Sequence, residues 1–516
     1  MNRKRGRTPA GIVLLLCVIA ASPALVAPAI ATASTSTSAS TSTSYVKTYA
    51  NVLSKIEYNL TPVDVQPTSD GGYIALTLTQ ASQSSNGVGV NWLVKLSSSG
   101  TPQWQEELGC FGTPPGDYAD GLSVQQTADA GYIVAGGTLG CGSHSACPSA
   151  SGIQCALIEK VDSAGKLDWS HVYPAGPDGS SINQIRQTSD GGYIAAGTTT
   201  DPNQDTSALI LKLDSRGNVQ WQRDLGPSGS TQAYFNSVRQ TSDGGYVAAG
   251  DYYTPVAGSP PTRVLAARFD PGGNLTWQHG FTSLDGTGSQ TSVEDAQSVI
   301  QTSDGGYAVA GVWGNSTFPG PGARGALLLK LGTDGNIQWQ KAYSGGVYCY
   351  FNGFSETCAD IAAVIYSVHQ TADGGYLLAG DGDLELTDSV PLVPWLARAD
   401  ASGNLTWQRF YYQTYTTGRP LSQYFAASAL AQDGGYLAAG VTENYAAQKN
   451  ELYVVKTDSS GLAGTCGSVH PATPLSAINP ALTTVAPSLP VQGVTISAVS
   501  SPSRTMATSI KTTANC

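Results

Sequence analysis

Few side chains in this 516-residue sequence have types and spacings that do chemistry, and most of those are dispersed. The five histidines (His144, His171, His279, His369, His470) are far apart, so there is no His-Glu-x-x-His helix and no paired ligand spacing. No Gly-x-Ser-x-Gly occurs, which removes the commonest serine-nucleophile turn. Gly320-Pro321-Gly322-Ala323-Arg324-Gly325 has the form of a phosphate cradle but leads into the apolar run 326–331, which reads as a strand, so it is expected to be a loop. Six aspartates (Asp70, Asp190, Asp243, Asp304, Asp373, Asp433) stand beside turn glycines, where a carboxylate accepts hydrogen bonds from nearby backbone N–H groups. Asp381-Gly382-Asp383-Leu384-Glu385 occurs once, and Asp381, Asp383 and Glu385 are the candidate ligands for Ca²⁺, the one cofactor for which the sequence offers a site.

What remains is recognition chemistry. Tyrosines and tryptophans gather in the irregular segments, and Tyr234, Tyr252, Tyr253, Trp313, Tyr350 and Tyr412 are the candidate ligand-binding residues, suited to stacking on sugars or docking a protein.

The elements that must position these residues are repetitive. Thr241-Ser242-Asp243-Gly244-Gly245-Tyr246 and its variants recur seven times, with tyrosines at 73, 132, 193, 246, 307, 376 and 436. Each unit reads as four short strands, A to D, joined by glycine-rich turns. The second turn glycine is present in all seven units whereas the second unit has Ala130 at the first, so the second position is expected to need φ > 0. Tryptophan closes six units (Trp104, Trp169, Trp221, Trp277, Trp339, Trp407) and is expected to dock neighbouring blades, a fully buried indole contributing roughly 4 to 6 kcal/mol. The seventh unit has none. Tyr45-Val46-Lys47-Thr48-Tyr49 overlays Trp339-Gln340-Lys341-Ala342-Tyr343, so the N-terminal segment 44–51 supplies the missing strand. The fold expected is all-β: a seven-bladed β-propeller of four-stranded blades closed by an N-terminal strand, spanning 45–466.

Outside the repeats, Arg3, Lys4, Arg5 and Arg7 precede the apolar run Gly11 to Ala21, and Ala31-Thr32-Ala33 offers a cleavage site, so residues 1–33 read as a secretory signal. Residues 34–44 are a Ser/Thr-rich linker and 467–516 a Ser/Thr/Pro-rich tail with no helical or hydrophobic-anchor pattern. A net charge of −11 argues against nucleic acid, and the mature chain is expected to have no membrane span and to be a monomer. Eight cysteines follow the leader, an even number that suits disulfides in an exported protein. Cys349 pairs locally with Cys358 and Cys466 with Cys516, while Cys110, Cys141, Cys147 and Cys155 form two bridges whose pairing is open.

Gln240-Thr241-Ser242-Asp243-Gly244-Gly245-Tyr246, taken with Lys212 to Trp221 (Lys-Leu-Asp-Ser-Arg-Gly-Asn-Val-Gln-Trp), resembles the propeller repeats of secreted bacterial and archaeal surface proteins. Asp214 to Trp221 also resembles the tryptophan-docking repeat of quinoprotein dehydrogenases, one residue shorter and without an adjacent Cys-Cys pair, and the Asp-box of sialidases, with a longer Asp-to-Trp interval. The resemblance to surface proteins bears on fold and says little about activity; the aromatics of the long-loop face, with no catalytic constellation beside them, give the expectation of a secreted or cell-surface, non-catalytic binding module whose long-loop face meets a glycan or a surface protein. The rival readings are a propeller enzyme, glycan-cleaving or quinoprotein-like, and a structural surface-layer or matrix component. Non-reducing peptide mapping is expected to recover Cys349 with Cys358 and Cys466 with Cys516; free thiols at the last two would overturn that pairing.

Overall fold

β-Branched and aromatic residues alternate with small ones between the glycine turns, and this pattern folds into a computed structural model made of strands. It describes residues 44–51, 64–80, 89–109, 118–139, 153–174, 178–203, 205–226, 232–253, 262–283, 295–314, 324–351, 356–384, 392–411, 423–444 and 449–463, with seven short strands between 469 and 514. The chain divides into two compact units, 1–41 and 42–516, and every described residue belongs to the second. The leader 1–33 and all of the linker before residue 44 lie outside the described residues, among which no helix is long and apolar enough to cross a membrane.

After β1 (Tyr45–Asn51), blade one is β2 (Asp64–Pro67), β3 (Tyr73–Gln80), β4 (Gly89–Leu96) and β5 (Pro102–Gly109). Blade two is β6 (Tyr118–Gln126), β7 (Tyr132–Leu139), β8 (Gln154–Val161) and β9 (Leu167–Tyr173). Blade three is β10 (Gly179–Gln187), β11 (Tyr193–Thr200), β12 (Thr206–Leu213) and β13 (Val219–Leu225). Blade four is β14 (Gln232–Gln240), β15 (Tyr246–Tyr253), β16 (Thr262–Phe269) and β17 (Leu275–Ser283). Blade five is β18 (Asp295–Gln301), β19 (Tyr307–Gly314), β20 (Arg324–Leu331) and β21 (Ile337–Phe351). Blade six is β22 (Glu356–Gln370), β23 (Tyr376–Leu384), β24 (Val393–Ala399) and β25 (Leu405–Tyr411). Blade seven is β26 (Gln423–Leu430), β27 (Tyr436–Asn444) and β28 (Lys449–Thr457), and β1 completes it, pairing antiparallel with β28 from Tyr45↔Lys456 to Tyr49↔Leu452. The expected all-β, seven-bladed propeller closed by its N-terminal strand is therefore the fold. Blades five and six share one continuous sheet, because β21 and β22 form a long hairpin in which Cys349 stands opposite Cys358.

Consecutive blades dock through one repeated contact. The Trp ending blade n lies edge-on to the Tyr opening strand B of blade n+1, as in Trp104–Tyr132 (centroids 5.5 Å apart) and Trp277–Tyr307 (5.6 Å). Such pairs contribute about 0.5–1.5 kcal/mol each beyond burial; the indoles are half-buried, so the full-burial figure is an upper bound. The same indole covers the C-to-D turn glycine of the next blade. A Cβ on Gly403 would come within 2.7 Å of Trp339, and this glycine also has a positive φ of 78°. At the seam Tyr45 takes the tryptophan's place over Gly100, and Tyr49 donates to the Gly100 carbonyl (2.7 Å) as Tyr343 does to that of Gly403 (2.8 Å). The overlay of 45–49 on 339–343 is thus reproduced in the ring over the turn glycine and in the tyrosine bond to its carbonyl.

The A-to-B turns hold a correction. Positive φ falls on the first glycine (Gly71 at 80°, with Ala130 at 64° in blade two), not on the second as expected. The second is invariant because a Cβ there would strike the backbone carbonyl ending strand C and the cation beside it, as Gly72 would meet Leu96 and Lys95. That cation pairs with the turn aspartate: Lys95–Asp70, Lys212–Asp190, Lys330–Asp304 and Lys456–Asp433 all lie at 2.9 Å. The aspartate also accepts from the turn backbone, Gly72 N to Asp70 at 3.1 Å, as expected. Partial burial acts upward on Asp70, but the bonds from Lys95, Thr68 and Gly72 win and hold it down at about 2.

The tail is not featureless. β29 (Val469–Pro471), β30 (Ser476–Ile478), β31 (Leu482–Val485), β32 (Val491–Gln492), β33 (Val499–Ser500), β34 (Arg504–Ala507) and β35 (Ile510–Ala514) pair antiparallel with β25, β21, β17, β13, β9, β5 and β1. The chain therefore revisits blades six, five, four, three, two, one and seven, giving each a fifth, outermost strand. Strand D would otherwise present unpaired N–H and C=O groups at the rim. Truncation after residue 466 is expected to lower the thermal midpoint and to promote association at the bared edges, read by calorimetry and light scattering. An unchanged midpoint in a truncated protein that stays monomeric would remove this role.

Candidate functional site

Strand A of every blade faces the axis, where a cavity of about 410 Å³ is lined by residues of β2, β6, β10, β14, β18, β22 and β26. That size suits a small-molecule site. Its wall is built by a repeated irregularity. Six A strands carry a β-bulge, between Gly121/Ser123, Ile182/Gln184, Phe235/Ser237, Ala296/Ser298, Ile365/Ser367 and Phe425/Ala427. The extra residues, Leu122, Asn183, Asn236, Gln297, Tyr366 and Ala426, all line the cavity. A bulge re-aims one side chain out of the period-two alternation. Room for it comes from a strand-B glycine: a Cβ on Gly197, Gly250, Gly311, Gly380 or Gly440 would run into the strand-A carbonyl opposite. The turns, docking tryptophans and turn ion pairs largely keep their residue types, but at the bulge these change from blade to blade, which gives the channel wall chemical individuality.

Toward the short-turn end, Asp64 is buried and receives Val124 N (3.0 Å) and Gln66 Nε2 (2.9 Å), with Arg186 Nη1 3.6 Å away. Arg186 also donates to Ser123 Oγ (2.9 Å) and the Ile185 carbonyl (2.8 Å). Arg239 donates to Gln184 Oε1 and to the Val238 carbonyl (2.8 Å). His369 Nε2 lies 2.6 Å from the Ser428 carbonyl, which fixes the proton on that nitrogen of the neutral ring. Burial first, then the Arg239 charge, pull His369 down to about 4.

The other chemistry is acidic. Asn236 Nδ2 donates to Asp251 (3.3 Å), Asp295 (3.2 Å) and the Ala296 carbonyl (3.1 Å), and Gln297 donates to Asp295. Asp251 and Asp295 hydrogen-bond each other and share a proton: burial foremost, then the Asp295 charge, push Asp251 up to about 8, and burial raises Asp295 as well. Tyr366 is hydrogen-bonded to the buried Asp381.

The residues singled out by sequence are placed differently. Tyr252 and Tyr253 are on β15 and Trp313 on β19, at the ends of B strands and not in loops. Tyr252 is 2% exposed and packs under Gly280, so its ring belongs to the core. Tyr253 and Trp313 are half-buried, and Tyr234 donates to Gln232 (2.7 Å) beside the rim. The side chain of Tyr350 and all of Tyr412 lie outside the described residues. Of the calcium candidates, Asp381 is buried on β23, and the side chain of Asp383 and all of Glu385 lie outside the described residues; among the described ones no three His, Cys, Asp or Glu side chains converge. Cys155 is buried on β8; Cys110, Cys141, Cys147, Cys466 and Cys516, and the side chains of Cys349 and Cys358, lie outside the described residues. Sequence reading missed the bulge ring and the channel arginines, although the recurrent strand-B glycine was a signal for both, since glycine inside a strand marks a bulge or close approach.

No protein-family model matches the chain, and no curated protein matches it.

The shared proton has a measurable consequence. Because Asp251 is raised from 3.8, the folded state keeps a proton that the unfolded chain releases, so its contribution is complete below about pH 4 and is lost as the pH rises through about 8. The thermal midpoint is expected to decline across that window, and Asp251→Asn to flatten the decline; equal slopes in the two proteins would dismiss the shared proton.

Proposed function

We propose that this protein is an exported, non-catalytic binding module that takes a small polar group of a glycan or surface protein into its central channel. The observation that carries the reading is the bulge ring: six equivalent positions filled by Leu, Asn, Asn, Gln, Tyr and Ala around one cavity. A purely structural propeller has no need to vary that position while holding its turns, tryptophans and ion pairs constant. Export is supported by the basic and apolar leader, the even cysteine count, and Cys349 standing opposite Cys358. Among the described residues, the carboxylate pair bonded to the wall residue Asn236, Asp251 with Asp295, also bonds within itself, an arrangement that supports binding over glycosidic cleavage, for which two carboxyls must flank the bond at about 5 Å or more.

This moves the expected site from the long-loop aromatics to the axis. Ala426→Phe should fill the cavity without touching the repeat contacts. Glycan arrays and saturation-transfer NMR on the mature chain are expected to find ligands whose affinity falls at least about tenfold in this variant, a change of about 1.4 kcal/mol. Ligands that bind the variant as well as the parent, and are lost with Tyr253→Ala, would return the site to the loops.

A further inference from the structure

Resting on the channel as the binding site, we propose that its ligand is a carboxylate-bearing, hydroxyl-rich small molecule of the uronic-acid type, held by Arg239 with Arg186 beside it. The charge balance of the wall points there. Arg186 has a carboxylate within reach in Asp64, and both are buried. Arg239 has no carboxylate in direct contact, although the Asp64 charge still acts on it: its Nη1 meets only neutral oxygens, those of Gln184 and Val238, and its Nε and Nη2 have no hydrogen-bond partner among the described residues. A half-buried guanidinium gains when an anion meets it, and its planar fork matches a carboxylate. Arg239 is nevertheless part of the cavity wall, so the missing counter-charge has space to enter. Burial first, then the neighbouring Arg186 charge, pull Arg239 down to about 9, against the opposing attraction of Asp64.

The rest of the wall restricts the anion. His369 is neutral and brings no second positive charge. One uncompensated cation suits a single negative charge and not a phosphate dianion. Around Asn183, Asn236 and Gln297 the wall offers side-chain amides, which are partners for hydroxyl groups, and the Asp295 carboxylate bonded to two of them disfavours further negative charge.

Isothermal titration calorimetry of the mature chain with D-galacturonate and D-glucuronate tests this, with D-glucose, methyl D-glucuronate ester and inorganic phosphate as comparisons. Uronate is expected to bind at least about tenfold more tightly than the ester or glucose, to lose that advantage in Arg239→Gln, and to keep part of it in Arg239→Lys. If glucose and the ester match the acid and Arg239→Gln changes nothing while Ala426→Phe abolishes binding, the channel reading stands and the anion inference falls. Uronate binding that survives Ala426→Phe overturns the channel reading itself. Phosphate binding as tight as uronate, or no uronate binding, overturns the carboxylate assignment. Arg239→Gln should melt no lower than the parent, since it removes a half-buried charge that no carboxylate contacts directly; a sharply lower midpoint would mark the arginine as structural and overturn the proposal.

Discussion

A blade of four strands is not a stable object by itself, because both faces of its sheet are apolar and only the adjacent blades can cover them. Every other feature of the molecule answers that constraint. Trp104, Trp169, Trp221, Trp277, Trp339 and Trp407 each lie across the boundary onto the glycine and tyrosine of the next blade, and the ring is complete only when Tyr45 does the same over Gly100. The glutamine that ends strand A in blades two to six adds a latch, as when Gln126 accepts from Ser69 N (2.7 Å) and Gln187 from Ala128 N (2.7 Å). Removing one blade's contacts therefore exposes two faces at once, which favours an all-or-none ring.

Closing the faces leaves the rims, and the rims are closed differently. Inner edges meet around the axis, where the strand-A bulges break the ladder and turn one side chain per blade toward the channel. Outer edges are covered by the tail, whose strands run antiparallel to strand D on all seven blades. Its strands are two to five residues long, enough to satisfy a few backbone groups on each blade.

Repetition and function occupy separate positions. The turn aspartate, its lysine or arginine, the docking tryptophan and the turn glycines hardly vary, because each is tied to a neighbour that does not vary. The bulge residue faces the channel, and where it reaches the next blade, as Asn183 does at the Phe235 carbonyl and Asn236 at that of Ala296, it bonds strand A and does not pack in the core, so its identity can differ between blades. The result is an axis with Arg186 and Arg239 on one side and, on another, Asn236 and Tyr366 bonded to the carboxylates of Asp251, Asp295 and Asp381, inside an otherwise near-symmetric ring.

The division between what the sequence determined and what tertiary structure decided follows the range of the interactions. Blade number, strand order, the turn aspartates and the swapped closure were legible, because each rests on residues close together in the chain or on a seven-fold repeat of one pattern. Tyr45 and Tyr49 revealed the seam for that reason. The turn glycines were legible as a pair but assigned in the wrong order, since the close approach of Lys95 to Gly72 comes from a strand more than twenty residues away. Tyr252 read as a loop aromatic because only folding shows that strand β15 continues past the repeat and buries it. The channel and the tail belt were decided by tertiary structure alone. A bulge is one residue out of register and has no period, a two-residue strand has no pattern, and the meeting of Arg186 with Arg239 depends on two strands from different blades converging on one axis.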